Sequence, residues 1–171
     1  MANHAKADPL KPISHSVTVD APVERAFEIF TSRLGDWWPI AYTFSEGAFA
    51  DATVEPRVGG RWLERTEDGR ELSWGDVRTF ERGRRIVVGF AIGADRKPTP
   101  PAAASEVEVR FVPETGTQSR VELEHRDFER HGEGAEKLRA GMASPQGWPL
   151  ILAEFRRGVR RATTSSSARA R

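Results

Sequence analysis

Apolar and polar residues alternate over Ile13–Val19, with Ile13, His15, Val17 and Val19 set against Ser14, Ser16 and Thr18. A period of two predicts a half-buried strand. Behind Asp20-Ala21-Pro22 the period lengthens: Val23, Ala26, Phe27, Phe30 and Leu34 recur at the spacing of one helix face and stop before Gly35. That predicts a first helix with a proline at its entry and Asp20 and Glu24 near its positive end. Thr53–Glu55 reads as a short strand. Arg61–Thr66 and Glu71–Phe80 are extended runs separated by Glu67-Asp68-Gly69-Arg70, and Asp-Gly between such runs predicts a hairpin. After Glu81-Arg82-Gly83 comes Arg85–Phe90, too apolar to meet water on both faces. Glu106–Val112 turns Val107, Val109 and Phe111 one way and Glu106, Glu108 and Arg110 the other. Arg120–Arg126 repeats this with Val121, Leu123 and His125 on one face.

The last third of the chain is helical in pattern. Glu133–Met142 predicts a helix weakened by Gly134 and Gly141, and from Trp148 a strong stripe follows through Ile151, Leu152, Phe155, Val159 and Ala162. One strand, one helix, about six more strands and a long closing helix make an α+β order, with an antiparallel sheet of about seven strands covered on one face. Such a sheet must curl around the closing helix, and a cavity between the two curved surfaces is the expected consequence. The chain divides into a flexible arm over 1–11, one domain over 12–162 and a disordered tail over 163–171. Gly93–Ala104, rich in Pro and Ala, reads as a surface connection.

Composition narrows the function classes. A chain of 171 residues suits one domain. A formal net charge of +1 gives no reason to expect nucleic acid or an anionic membrane as partner. With no cysteine, disulfides, thiolate nucleophiles and Cys-ligated metals are excluded together. No apolar run reaches membrane-spanning length and the amino terminus lacks the apolar core of a signal peptide, so a cytoplasmic protein is expected, monomer or homodimer.

Motif chemistry is sparse. His125-Arg126-Asp127 copies the opening of a kinase catalytic loop, but Gly132 stands where an Asn is needed. His125 and His131, with Asp127 and Glu129 between them, match no metal-ligand spacing. Gly59-Gly60 is followed by a strand, not by a Lys-Ser/Thr and a helix, so it cradles no phosphate. No metal and no cofactor is expected. The aromatic usage says more, because five Trp and nine Phe accompany a single Tyr. Trp37, Trp38, Trp62 and Trp148 are candidates for the wall or mouth of the cavity, with a lid packed on the core as the alternative for Trp37 and Trp38. Val88, Phe90, Val109, Leu123, Leu152 and Phe155 are candidates for its lining. Glu64 shares the face of Trp62 and His125 that of Val121 and Leu123, where a carboxyl beside a histidine would suit acid–base work; the alternative is a Glu64 that points to solvent and a His125 hydrogen-bonded for structure.

Several stretches together resemble the SRPBCC superfamily (START-like, helix-grip), and within it the subgroup similar to the carboxy-terminal domain of the activator of heat-shock protein 90 ATPase. They are Val19-Asp20-Ala21-Pro22-Val23-Glu24-Arg25-Ala26-Phe27, Gly59-Gly60-Arg61-Trp62, Asp68-Gly69, Trp74-Gly75-Asp76-Val77, Arg84-Arg85-Ile86-Val87 and Gly147-Trp148-Pro149-Leu150. The similarity runs over about residues 13 to 162. It departs at Arg82-Gly83, where the subgroup often carries two prolines. The resemblance implies a helix-grip fold with a hydrophobic cavity, and no single activity. Three readings follow: a binder of a small apolar or amphipathic molecule, a chaperone-regulator-like module with a chaperone as partner, or a cavity enzyme using Glu64 and His125.

Overall fold

The computed structural model describes residues 10–169. Most of the expected arm, 1–9, and the end of the expected tail, 170–171, lie outside the described residues. Seven strands form one antiparallel sheet: β1 (Ile13–Val19), β2 (Phe49–Val54), β3 (Arg61–Thr66), β4 (Glu71–Glu81), β5 (Arg85–Phe90), β6 (Ser105–Pro113) and β7 (Ser119–Arg126). The spatial order is β1-β7-β6-β5-β4-β3-β2. The meander predicted from β3 to β7 therefore lies side by side, and the first strand closes against the last, with Ile13 opposite His125 and Val19 opposite Ser119. The curled sheet holds α3 (Trp148–Arg169) in its grip, an α+β helix-grip fold.

Alternation became burial. Along β7 every second residue, from Ser119 through Val121 and Leu123 to His125, is buried. The Asp-Gly turn between β3 and β4 forms as predicted, with Gly69 at φ +87°, where a side chain would be strained. α1 (Val23–Thr31) carries Phe27 and Phe30 into the core. It is shorter than its apolar stripe suggests: Leu34 is fully buried but sits in a separate 3-10 turn, Leu34–Asp36. α2 (Ala135–Ala143) starts after the left-handed Gly134. α3 carries on through Arg169, over most of the stretch 163–171 whose composition predicts disorder. Extending an existing helix adds a hydrogen bond for each residue fixed, so a helix anchored by Trp148, Leu152 and Phe155 can outrun its apolar stripe. Among the described residues no helix is long and apolar enough to cross a membrane.

One irregularity shapes the interior. Trp62 pairs with Gly75 while Leu63 pairs with Ser73, so Trp74 is an extra residue in β4. A bulge re-aims the side chain it carries, and Trp74 is turned fully inward. Gly75, at φ +156°, comes so close to β5 that an added Cβ would lie 1.8 Å from the Gly89 carbonyl oxygen.

Candidate functional site

The expected lining residues are all buried. Trp62, Glu64, Val88, Phe90, Val109, Leu123, His125, Trp148, Leu152 and Phe155, with Trp37 and Trp38, are each at most 4 % exposed. Most of them pack on one another. The Trp38 ring lies 4.8 Å from Trp74, 5.7 Å from Trp37, 6.2 Å from Trp62 and 6.3 Å from Trp148, and Phe155 meets Phe30 and Trp37 at 5.1 and 5.0 Å. Most of the indoles are also tied by their N–H groups: Trp37 donates to the Ile29 carbonyl, Trp38 to Tyr42, and Trp62 to Gly89.

An open pocket of about 300 Å³ lies at one end of this aromatic wall, at the lower end of the size of small-molecule sites. Of the expected lining residues, Trp38 and Phe90 face it. The other walls come from Tyr42 and Phe44, from Ile92, Ala94 and Arg96 after β5, from Leu138 and Met142 on α2, and from Ile151 on α3. These residues were missed because most lie on connections. The connection after β5 leaves the sheet, but Ile92 bridges to Pro98 and Thr99 N–H reaches the Ala91 carbonyl, so the chain doubles back over the pocket. The available signal was an Ile at 92 just ahead of Asp95-Arg96-Lys97, and that side chain is buried. Trp37, Leu152 and Leu123 border other, separate surface hollows. The largest, about 510 Å³, is walled chiefly by Ser14, Ser16, Glu108, Arg110, Arg120, Glu122 and Glu124.

Glu64 and His125 have separate partners. The Glu64 carboxyl oxygens accept the Phe44 N–H at 2.9 and 3.1 Å, together with the N–H and hydroxyl of Ser45. Glu64 thus fastens the segment that carries Phe44 to the sheet. His125 accepts the Trp148 indole N–H at Nδ1, 3.0 Å away. In the neutral ring this leaves Nε2 protonated, and Nε2 donates to the Ser105 hydroxyl at 2.8 Å. The Ser105 N–H in turn donates to Nε2 of His131 at 3.1 Å, and the Ser105 hydroxyl lies 2.8 Å from the same nitrogen. Burial, with a smaller contribution from His131, pushes the His125 pKa well down, and burial lowers that of His131. The chain Trp148–His125–Ser105–His131 is therefore neutral and directional, and it joins α3 to β6, β7 and the turn after β7. Among the described residues no hydrogen bond joins Glu64 to His125, and no cluster of residues has a metal-binding arrangement.

On the opposite face of the sheet, Glu108 is gripped by Arg126, Arg85 and Arg110. Burial alone would raise its pKa, but these hydrogen bonds outweigh it and hold the carboxyl at about 2.

A family model described as activator of Hsp90 ATPase homolog 1-like protein matches residues 20–159. The chain belongs to this family. The match agrees with the helix-grip resemblance read from the sequence and places the chain in the SRPBCC superfamily. Among solved structures, an anthrahydroquino-γ-pyrone synthase solved as a complex is 36 % identical, over 88 % of this chain and 97 % of that one, with a TM-score of 0.61. CalC, a self-sacrificing resistance protein from Micromonospora echinospora, is 30 % identical over 88 % and 95 %, with a TM-score of 0.59. A Nitrosomonas europaea protein, 16 % identical with a TM-score of 0.64 over 91 % and 99 %, shares the fold. No curated protein matches the chain.

Proposed function

We propose that this family member is a binding protein for a small apolar or amphipathic molecule, of planar aromatic type, received in the pocket between the Trp38–Phe90 wall, α2 and the start of α3. The observation that carries the reading is the pocket itself, about 300 Å³ with aromatic and aliphatic walls and few polar groups, the usual make-up of a small-molecule site. The aromatic type is supported by the likeness to the 36 % identical anthrahydroquino-γ-pyrone synthase. Acid–base chemistry by Glu64 with His125 is not part of this reading, because each is occupied by partners of its own.

Titration of the intrinsic tryptophan fluorescence with a hydroxylated anthraquinone, with native mass spectrometry of the same samples, tests the proposal. Saturable quenching with one molecule bound per chain is expected, since Trp38 forms part of the wall. Absence of saturation together with absence of a complex in the mass spectrum overturns it. The family description favours a second reading, regulation of a chaperone ATPase. That reading fails if the protein leaves ATP hydrolysis by a heat-shock protein 90 homologue unchanged.

A further inference from the structure

The walls of the pocket carry no carboxylate, yet two cationic side chains, Arg96 and Lys137, contribute to its lining from different elements. Arg96 comes from the connection after β5 and Lys137 from α2. Among the described residues neither makes an ion pair. This contrasts with the outer face of the sheet, where arginines are matched with glutamates, as around Glu108.

The backbone at Arg96 is held in an uncommon conformation. It is one of two non-glycine residues with positive φ among the described residues, at φ +64°, and such positions persist where surrounding structure fixes them. One terminal nitrogen, Nη2, donates to the Thr43 carbonyl at 3.0 Å and lies 3.4 Å from that of Ala41, while the guanidinium sits 5.1 Å from the centre of the Phe44 ring. These contacts place the cation against an aromatic wall of the pocket. Nε and Nη1 make no hydrogen bond among the described residues, so the donor edge remains available.

We propose that the molecule received in the pocket is an anion, with an apolar aromatic body against Trp38 and Phe90 and a carboxylate or comparable acidic group held by Arg96 and Lys137. This rests on the pocket reading above and specifies the ligand class. An acidic group bound there gains charge-assisted hydrogen bonds from Arg96 and attraction from Lys137, while its ring system leaves water. A neutral analogue of the same shape gains the second effect and not the first.

A matched pair of probes separates these contributions: anthraquinone-2-carboxylate and anthraquinone-2-carboxamide, titrated by calorimetry at low and high salt. The carboxylate is expected to bind at least tenfold more tightly at low salt, with the gap narrowing as salt rises. Arg96→Gln and Lys137→Gln should each reduce the gap, and Arg96→Lys should restore part of it. Because Arg96 also fastens the segment bearing Phe44, R96Q is judged by the ratio of the two affinities. Lys137→Gln, on the exposed side of α2, reads the charge contribution alone. Equal binding of both probes, or a preference that survives both glutamine substitutions together, overturns the anionic assignment while leaving the pocket intact. Binding of neither probe overturns the pocket reading and this assignment with it.

Discussion

Trp148 and Trp74 are both at most 1 % exposed and both belong to the aromatic cluster, yet they differ in one respect that stability measurements can read. The Trp148 N–H donates to Nδ1 of His125, whereas Trp74 Nε1 is buried without a hydrogen-bond partner among the described residues. Replacing either by Phe removes the same atoms and leaves a similar void, a shared packing loss. W148F also strips His125 of its only donor at Nδ1, deep in the core, and an orphaned buried acceptor costs about 1–3 kcal/mol. W74F removes an unsatisfied donor and leaves nothing behind. W148F is therefore expected to be less stable than W74F by about 2 kcal/mol, or about 4–8 °C in Tm for a chain of this size. Urea unfolding of both variants, with m-values checked for constancy, measures the difference. Equal losses, or a larger loss for W74F, would refute the hydrogen-bond chain as an energetic element.

Other expectations follow from the same geometry. His125 is held neutral in the fold and takes up its proton on unfolding, so stability is full above about pH 6.5 and falls as pH drops below it, by about 1.4 kcal/mol per pH unit from this group alone. Urea midpoints across that range should show the slope, and His125→Gln should flatten it. Glu108, lowered to about 2, adds a separate loss as pH falls from the ordinary carboxyl value of about 4.5 toward 2. Glu64→Ala leaves the N–H groups of Phe44 and Ser45 without their acceptor and should cost about 1–3 kcal/mol, with hydrogen-exchange protection lost first at those two amides. Gly75→Ala forces a Cβ onto the Gly89 carbonyl. A loss of about 3 kcal/mol or more, together with a shifted Trp62 indole N–H resonance, is expected.

The fold was legible because its strands alternate cleanly and the turns between them carry glycine. β7 shows this best, every inward position named from its period being buried. Periodicity reports which face a side chain takes and not whether the space it enters is already full. The twelve residues expected to line a cavity are buried, but the bulge at Trp74 adds an indole to the space around Trp38 and Trp62. Shared facing did not bring Glu64 and His125 together, and His125 is hydrogen-bonded within the fold, as its structural reading expects. Both point inward, but β4, β5 and β6 lie between their strands in the sheet. The pocket escaped the sequence reading for another reason. Its mouth is built by the segment around Tyr42 and Phe44 and by the connection around Ile92–Arg96, whose paths are fixed by irregular contacts such as the long-range Arg96 bond to Thr43 and the Ile92–Pro98 bridge. No local period encodes them.

A crystal structure grown with an anthraquinone carboxylate shows whether the 300 Å³ pocket is where this family member receives its ligand. Ring density is expected stacked beside Trp38 and Phe90, bounded by Leu138 and Ile151, with the acidic group toward Arg96 and Lys137. Density confined to another surface hollow, or a pocket holding only water at saturating probe, would contradict it.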